Sequence, residues 1–501
     1  MPDFDVIAQG FATALSGWNL LYCLIGVSIG MLVGVLPGLG PTTGVAVLLP
    51  ITFGMEPVSA IIMLCGIYYG AMYGGTITSV LINTPGEAAS VVTCLDGNPL
   101  AKQGRAGAAL GIAGLGSFIG GTVSILGLVF IGPPLAEWAL RFGPPEFFAL
   151  MVLGLSSVIG LMGKSIVRGL LSALLGLNLA MIGIDPMSGT LRFTFDIPNL
   201  MSGIDFVIVA MGLFGLSEIL IGIENMASSE KPPKLQGMLP RKEEWGPSMK
   251  AIGRGTVLGF IIGLIPGTNS VIPALLSYSL EKKLAKDPSR FGKGALEGVA
   301  GPETANNSYC GGALIPLFTL GIPSSPTIAI ILGAFMMHGL TPGPTLFENN
   351  PVFVWGVVAS MFVGNIALLF MNLPMAGWWA RIAMIPPKLL YPLILVISVV
   401  GAYTANNSLF DVGVMLVFGI LGYLMKKTDI PMAPIVLTFV LGKMMESSLL
   451  QSLKLLDGSF LRLFERPISG MILGLAIVIL LFGTISGFRK KGRGYSADVE
   501  L

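Results

Sequence analysis

The sequence predicts an all-α, polytopic membrane protein made of two inverted-topology repeats that contain broken helices or re-entrant hairpins. Three observations predict it: composition, a succession of apolar segments near spanning length, and a pattern that occurs twice. Of 501 residues, 53% are apolar and 11% charged, against about 25% charged in a soluble domain. So few charges cannot cover a water-facing surface, and most of the exterior must face lipid. The 68 glycines are roughly twice the ordinary share of about 7%. Small residues let helices approach closely, and glycine lets them break where a ligand sits. A net charge of +2 gives no case for nucleic-acid binding.

Candidate spans, each near the length of about 20 residues that a bilayer requires, are 17–36, 58–80, 107–132, 147–163, 169–184, 204–222, 255–266, 352–373, 389–403, 409–425, 432–448 and 468–488. Shorter apolar pieces interrupted by Pro and Gly, at 41–53, 83–95, 269–280, 304–320 and 324–337, are too broken for simple spans. The first ten residues are acidic and no Lys or Arg precedes Lys102, so the first apolar segment is expected to stay in the mature chain. Cys23, Cys65, Cys94 and Cys310 lie in apolar stretches without a CxxC pair and read as buried small side chains.

The repetition is ordered. The run Gly34-Val-Leu-Pro-Gly38 returns as Gly263-Leu-Ile-Pro-Gly267, and Tyr73-Gly-Gly-Thr-Ile as Cys310-Gly-Gly-Ala-Leu. Asn83-Thr-Pro-Gly matches Leu320-Gly-Ile-Pro-Ser, and Pro134-Leu-Ala-Glu-Trp138 matches Pro374-Met-Ala-Gly-Trp378. This divides the chain into a first membrane repeat (1–222), a polar linker (223–254), a second repeat (255–450), an interfacial amphipathic helix (451–467) and a final transmembrane helix with a basic tail (468–501). Basic residues concentrate in 223–254, 281–298 and 489–493, which the positive-inside rule makes cytoplasmic. Lys102 and Arg105 have no basic counterpart in 338–351, and the Lys-rich 281–298 stretch has none in 52–57. The basic member of most matched loop pairs thus changes half, as oppositely inserted repeats require. The N-terminus is then periplasmic and the C-terminus cytoplasmic.

Four Gly/Pro-rich breaks fall in matched pairs and carry the candidate solute site: Gly38, Gly40, Thr42 and Thr43; Asn83, Thr84 and Gly86; Gly267, Thr268, Asn269 and Ser270; Pro323, Ser324 and Ser325. A break frees backbone groups, which at membrane depth must find partners or line a cavity. Half-helix N-termini favour an anion, and freed carbonyls can hold Na⁺. A candidate cation site is Asn83 with Glu303, Thr304, Asn306 and Asn307; Glu303 and Asn307, four apart, share a helix face. The alternative for this cluster is an interhelical hydrogen-bond clamp. Glu87, Asp185, Glu218, Asp411, Lys443 and Glu446 are further intramembrane charges, with Lys443 and Glu446 spaced to pair. With His338 the sole histidine and no GxSxG, HExxH or GxxxxGK[ST] motif, neither an intramembrane enzyme nor direct ATP coupling is supported. No cofactor is called for, apart from Na⁺ as coupling ion. A channel would also use polar breaks, but it would not need two opposed halves.

The runs Gly34-Val-Leu-Pro-Gly-Leu-Gly-Pro41, Asn83-Thr-Pro-Gly-Glu87, Gly298-Val-Ala-Gly-Pro-Glu-Thr-Ala-Asn-Asn307, Leu320-Gly-Ile-Pro323 and Gly339-Leu-Thr-Pro-Gly-Pro344 resemble the large membrane subunit of tripartite tricarboxylate transporters, the TctA family. The resemblance covers essentially the whole chain. It departs at Ser308, where a small Ala is expected after the Asn pair. It implies a multi-pass protein of the bacterial inner membrane that imports small carboxylates by cation-coupled secondary transport. It also implies two partners, a small membrane subunit and a periplasmic solute-binding protein. Na⁺ fits neutral carbonyl and amide oxygens; protons carried by Glu87 or Glu303 are the alternative.

Overall fold

Residues 57–82 are apolar on every side, and they form a helix buried on every side, Pro57–Ile82. The computed structural model describes residues 4–36, 38–157, 165–185, 189–224, 237–382 and 387–492. Seven of its helices are long and apolar enough to cross a bilayer, so the chain is a multi-pass, helical membrane protein. Two compact units divide it, one of residues 1–140 and 207–423, the other of 141–206 and 424–501. Both are discontinuous in sequence and cut across the two sequence halves.

Within the first unit one succession of elements occurs twice. Helix Gly17–Val35 leads through a break into the short helix Gly40–Leu48, then Pro57–Ile82, a second break, and Val91–Lys102. Helix Trp245–Gly263 leads through a break into Val271–Leu284, then Glu297–Leu320, a second break, and Pro326–Met337. The packing repeats as well. Gly26, Gly30 and Gly34 lie against the carbonyls of Met63, Ile67 and Ala71, so close that a Cβ would overlap them. Gly255, Gly259 and Gly263 lie in the same way against Gly301, Ala305 and Tyr309. In lipid, where apolar burial gives little drive for helix association, such close backbone approach supplies the packing. The second breaks match in backbone detail: Asn83 (φ 53°) and Gly321 (φ 70°) are left-handed caps on the preceding helices.

Contacts between loops sort them into two groups in this unit. Arg105 pairs with Glu244, and Gln103 donates to the carbonyl of Lys293, which joins 103–105 to 241–244 and 281–298. At the other group, His338 approaches Thr52 (3.5 Å), and Val6, Pro133, Glu137, Pro344 and Trp355 line one cavity.

The second unit contains helices Pro144–Ser157, Ile166–Ala180, Ala433–Leu455 and Pro467–Gly492, with a small hairpin pairing Gly183 with Arg192 and Ile184 with Leu191. Here Arg168 bonds the carbonyl of Thr428, and Arg466 bonds Glu146 (2.8 Å).

Several expectations are corrected. The 304–320 piece is not a broken segment: Glu297–Leu320 is one continuous helix, despite Pro302 and Pro316. It is buried throughout, so neighbouring helices can satisfy the groups its prolines free. The 451–467 stretch is not one interfacial helix. Its first residues end the helix Ala433–Leu455; Asp457 and Gly458 then turn with positive φ, and Arg462–Glu465 forms a separate short helix. The span expected at 255–266 begins at Trp245, inside the linker. The end of the span expected at 147–163, and Pro37 in the first break, lie outside the described residues.

Candidate functional site

The polar run of helix Glu297–Leu320 sits at the centre of the first unit. Glu303 (1% exposed), Asn306 (1%) and Asn307 (2%) face different neighbours there. The Glu303 carboxylate accepts from Thr76 Oγ1 (2.5 Å) on helix Pro57–Ile82 and from the hydroxyl of Thr93 on helix Val91–Lys102. Asn306 Nδ2 donates to Glu87 Oε1 (2.8 Å) at the second break. Glu87 also caps the turn after it, accepting from the Ala89 amide (3.1 Å). Asn307 Nδ2 donates to Ser117 Oγ (2.8 Å) and to the Glu303 carbonyl (3.0 Å). One polar stretch of the second half is thus held by four elements of the first.

The amide orientations follow from chemistry. A carboxylate beside Asn306 and a carbonyl beside Asn307 require the NH₂ group on that side of each. The opposite atoms, Asn306 Oδ1 and Asn307 Oδ1, are buried and find no hydrogen-bond partner. Orphaned acceptors of this kind can receive a water or an ion. Among the described residues neither Glu87 nor Glu303 makes an ion pair. An unpaired buried carboxylate is costly, so it must bind a cation or a proton. No set of three His, Cys, Asp or Glu side chains is gathered among the described residues, so the donor set is one of few charges and many neutral oxygens. It suits a monovalent hard cation better than a transition metal. A cavity of about 20 Å³, bordered by Asn307, Tyr69, Tyr73 and Asn365, adjoins this cluster. It has room for roughly one water-sized sphere.

Other predicted residues have different fates. Asn83 is exposed, its backbone forming the left-handed cap, and its side chain makes no hydrogen bond to the cluster among the described residues. Thr304 turns its hydroxyl back to the Ala300 carbonyl (2.7 Å) and packs on Gly116 and Gly120. The breaks meet in two pairs, each joining the halves. Thr42 and Thr327 share a hydroxyl hydrogen bond (2.7 Å), while Ala89 and Val92 pack on Ala274 with Val271 beside them. Thr43 donates to the Phe214 carbonyl, Thr84 to Ile82 and Thr268 to Ile265. Asn269 Oδ1 accepts from the amides of Val271 and Ile272, next to Ser270 at the N-cap. Ser325 caps Pro326–Met337 by accepting from the Ile328 amide, and Ser324 donates to the Ala313 carbonyl (3.2 Å) beside buried Pro323. Gly38, Gly40 and Gly267 take positive φ, which glycine adopts without strain. Gly86 packs onto the Gly34 carbonyl, leaving no room for a Cβ.

Thr76, Thr93 and Ser117 are members of the cluster that sequence reasoning missed. A hydroxyl on an apolar helix ordinarily bonds its own preceding turn, so nothing in the sequence marks these three. Asp96 was missed as well: it accepts from the amides of Gly292, Gly294 and Ala295 and from Tyr278 Oη, tying helix Val91–Lys102 to the 281–298 loop. The expected pairing of Lys443 with Glu446 is not found. Glu446 is held by both terminal nitrogens of Arg192 instead (2.6 and 3.1 Å).

A family model described as "Tripartite tricarboxylate transporter TctA family" matches residues 20–437. An Agrobacterium vitis protein described as an uncharacterized 52.8 kDa protein in the TAR-I ttuC' 3' region is 44% identical over 97% of both chains. A second protein of that organism, described as an uncharacterized protein in the TAR-II ttuC' 3' region, is 41% identical over 46% of this chain and 96% of its own length. No solved structure matches. The buried polar cluster, the glycine-packed helices and the paired breaks are therefore those of a transporter subunit, and the chain belongs to the tripartite tricarboxylate transporter TctA family.

Proposed function

We propose that this chain is the large membrane subunit of a cation-coupled importer of small carboxylates, with Na⁺ as the coupling ion. The observation that carries the reading is a buried cluster in which Asn306 Oδ1 and Asn307 Oδ1 have no hydrogen-bond partner and Glu87 and Glu303 have no basic partner among the described residues. A carboxylate solute brings further negative charge, and helix N-termini offer only about half a charge each. Bound cations supply the missing compensation. Glu87, Glu303, Asn306 and Asn307 would hold the cation, with Thr76 and Thr93 fixing the Glu303 carboxylate. The solute would bind at the breaks, one pair contributing Thr42, Thr43, Ser324 and Ser325 and the other Thr84, Gly86, Thr268 and Asn269.

The two loop groups support opposite insertion of the halves. Loop 96–106 and its counterpart 338–351 belong to different groups, as do 281–298 and 52–57. The Lys/Arg distribution makes the 103–105, 241–244 and 281–298 group cytoplasmic and the N-terminus periplasmic. The bacterial inner membrane, a small membrane subunit and a periplasmic solute-binding protein complete the reading. Transport would move the broken elements of both halves against the unbroken spans.

The experiment is uptake of a carboxylate by the transporter reconstituted with both partners. Replacing Na⁺ by choline should abolish accumulation. Uptake that survives choline but is abolished by collapsing the pH gradient would give the coupling role to protons on Glu87 and Glu303. Uptake linear in solute and indifferent to both gradients would establish a channel.

A further inference from the structure

The cavity of about 20 Å³ beside the polar cluster lies on the Asn307 side of helix Glu297–Leu320. Tyr69, Tyr73, Ser124, Asn307 and Asn365 supply its polar lining, whereas Glu87, Glu303 and Asn306 do not border it. Successive residues of a helix point about 100° apart. The two orphaned amide oxygens accordingly have different surroundings: Asn306 turns its NH₂ group to Glu87, and Asn307 turns its own to Ser117.

The lining oxygens have their hydrogens committed elsewhere. Asn307 Nδ2 donates to Ser117 Oγ and the Glu303 carbonyl. Tyr73 Oη donates to Asn365 Oδ1 (2.6 Å), and Asn365 Nδ2 to the Phe118 carbonyl and Thr122 Oγ1 (2.9 and 3.0 Å). Ser124 Oγ donates to the Gly121 carbonyl (2.9 Å). Tyr69 Oη is buried without a partner, and Ser360 is near enough to attract its hydrogen. What is left for an occupant is lone pairs, on Asn307 Oδ1 and on the hydroxyl oxygens of Tyr69, Tyr73 and Ser124. A set of neutral oxygens suits a hard cation.

The charges of the cluster call for one. Glu87 and Glu303 are both buried, and neither makes an ion pair among the described residues. A single monovalent cation balances only one of them, and a buried charge left over is costly. No Lys or Arg borders the cavity. Four residues of helix separate Glu303 from Asn307, a rise of about 6 Å. At that distance a carboxylate away from bulk water attracts a cation strongly.

We infer that this cavity is a second monovalent-cation site, so that each chain binds two Na⁺, one on the Asn306 side with Glu87 and one on the Asn307 side among Tyr69, Tyr73 and Ser124. The inference rests on the reading of the buried carboxylates as cation-binding groups. The second site has no charge of its own, so it fills only while Glu303 is ionised.

The test counts radiolabelled Na⁺ bound at equilibrium to the purified chain. The wild type should bind two ions. Tyr69→Phe removes one oxygen and keeps the ring; it should weaken one of the two ions by about tenfold, the worth of one contact to a charged group, and leave the other unchanged. Ser124→Ala should do the same. The ion still bound shows that each variant is folded. One ion per wild-type chain, unaffected by either substitution, would overturn the second site, leave the cavity to water and keep the first site intact. Two ions whose affinities neither substitution changes would overturn the placement in this cavity. No saturable binding by the wild type would overturn the cation reading itself, and the second site with it.

Discussion

The centre of the first unit and the 141–206 and 424–501 unit treat buried carboxylates in opposite ways. In the 141–206 and 424–501 unit, Glu146 is 2% exposed and is held by Arg466, while Glu446 and Asp185 are held by Arg192. These charges are neutralised within the fold. In the other unit Glu281 is likewise held by Arg254, but at the centre Glu303 and Glu87 are as deeply buried and their partners are two threonines, an asparagine and a backbone amide. Hydroxyls and amides orient a carboxylate without cancelling its charge. A guanidinium beside it completes a structural pair; neutral donors leave a negative site that a mobile cation can enter and leave.

The sharpest way to break this comparison is to remove one charge from each kind of site. Glu303→Gln keeps the shape and the threonine contacts but removes the negative charge. Since an interaction with a charged group is worth about 1.5–3 kcal/mol, cation-driven uptake should fall by up to about a hundredfold. The protein should still fold, as checked by size-exclusion chromatography. Arg466→Ala should do the reverse, leaving the Glu146 charge unpaired. The usual cost of breaking a buried pair is about 3–5 kcal/mol, but Arg466 is 43% exposed, and screening should reduce the loss to about 1–2 kcal/mol. Thermal unfolding in detergent would show it, with uptake by the surviving protein unchanged.

Finer effects sharpen the distinction. Asn307→Ala removes a neutral oxygen and should raise the Na⁺ concentration for half-maximal uptake by about tenfold. The smallest effect is expected at Arg105–Glu244, outside the spans. Burial alone would push the Glu244 carboxyl up, but hydrogen bonds from Arg105 and the Arg241 amide hold it below its ordinary range. A depressed carboxyl contributes stability above its unfolded pKa and loses it as pH falls through its folded one. Arg105→Ala should therefore cost less than about 1 kcal/mol near neutrality. Its difference from wild type in unfolding temperature should shrink as pH falls below the ordinary carboxylate range and vanish once Glu244 is protonated in the folded state.

Much of this organisation was legible in the sequence. Gly/Pro runs announced all four breaks, because few other residues free a backbone at membrane depth. Glu303, Asn306 and Asn307 stood out because polar side chains are rare in such a setting. Their partners were hidden, since Thr76, Thr93 and Ser117 look like any hydroxyl that bonds its own helix. Spacing misled at Lys443 and Glu446. Positions three apart can pair, but Arg192, 254 positions before Glu446, offers a planar fork that one ammonium cannot match. Pro302 and Pro316 suggested a broken segment, and only burial among neighbours explains a continuous helix. The Gly26/Gly30/Gly34 and Gly255/Gly259/Gly263 stripes were present in the sequence, but their meaning required the carbonyls that face them.

Equilibrium binding of radiolabelled Na⁺ to the purified chain tests the central claim most directly, because it needs neither partner nor solute. The wild type and Arg466→Ala should bind Na⁺ saturably, and Glu303→Gln should lose that binding. Absence of saturable binding in the wild type, or retention of it by Glu303→Gln, would contradict a cation site built on the unpaired carboxylates.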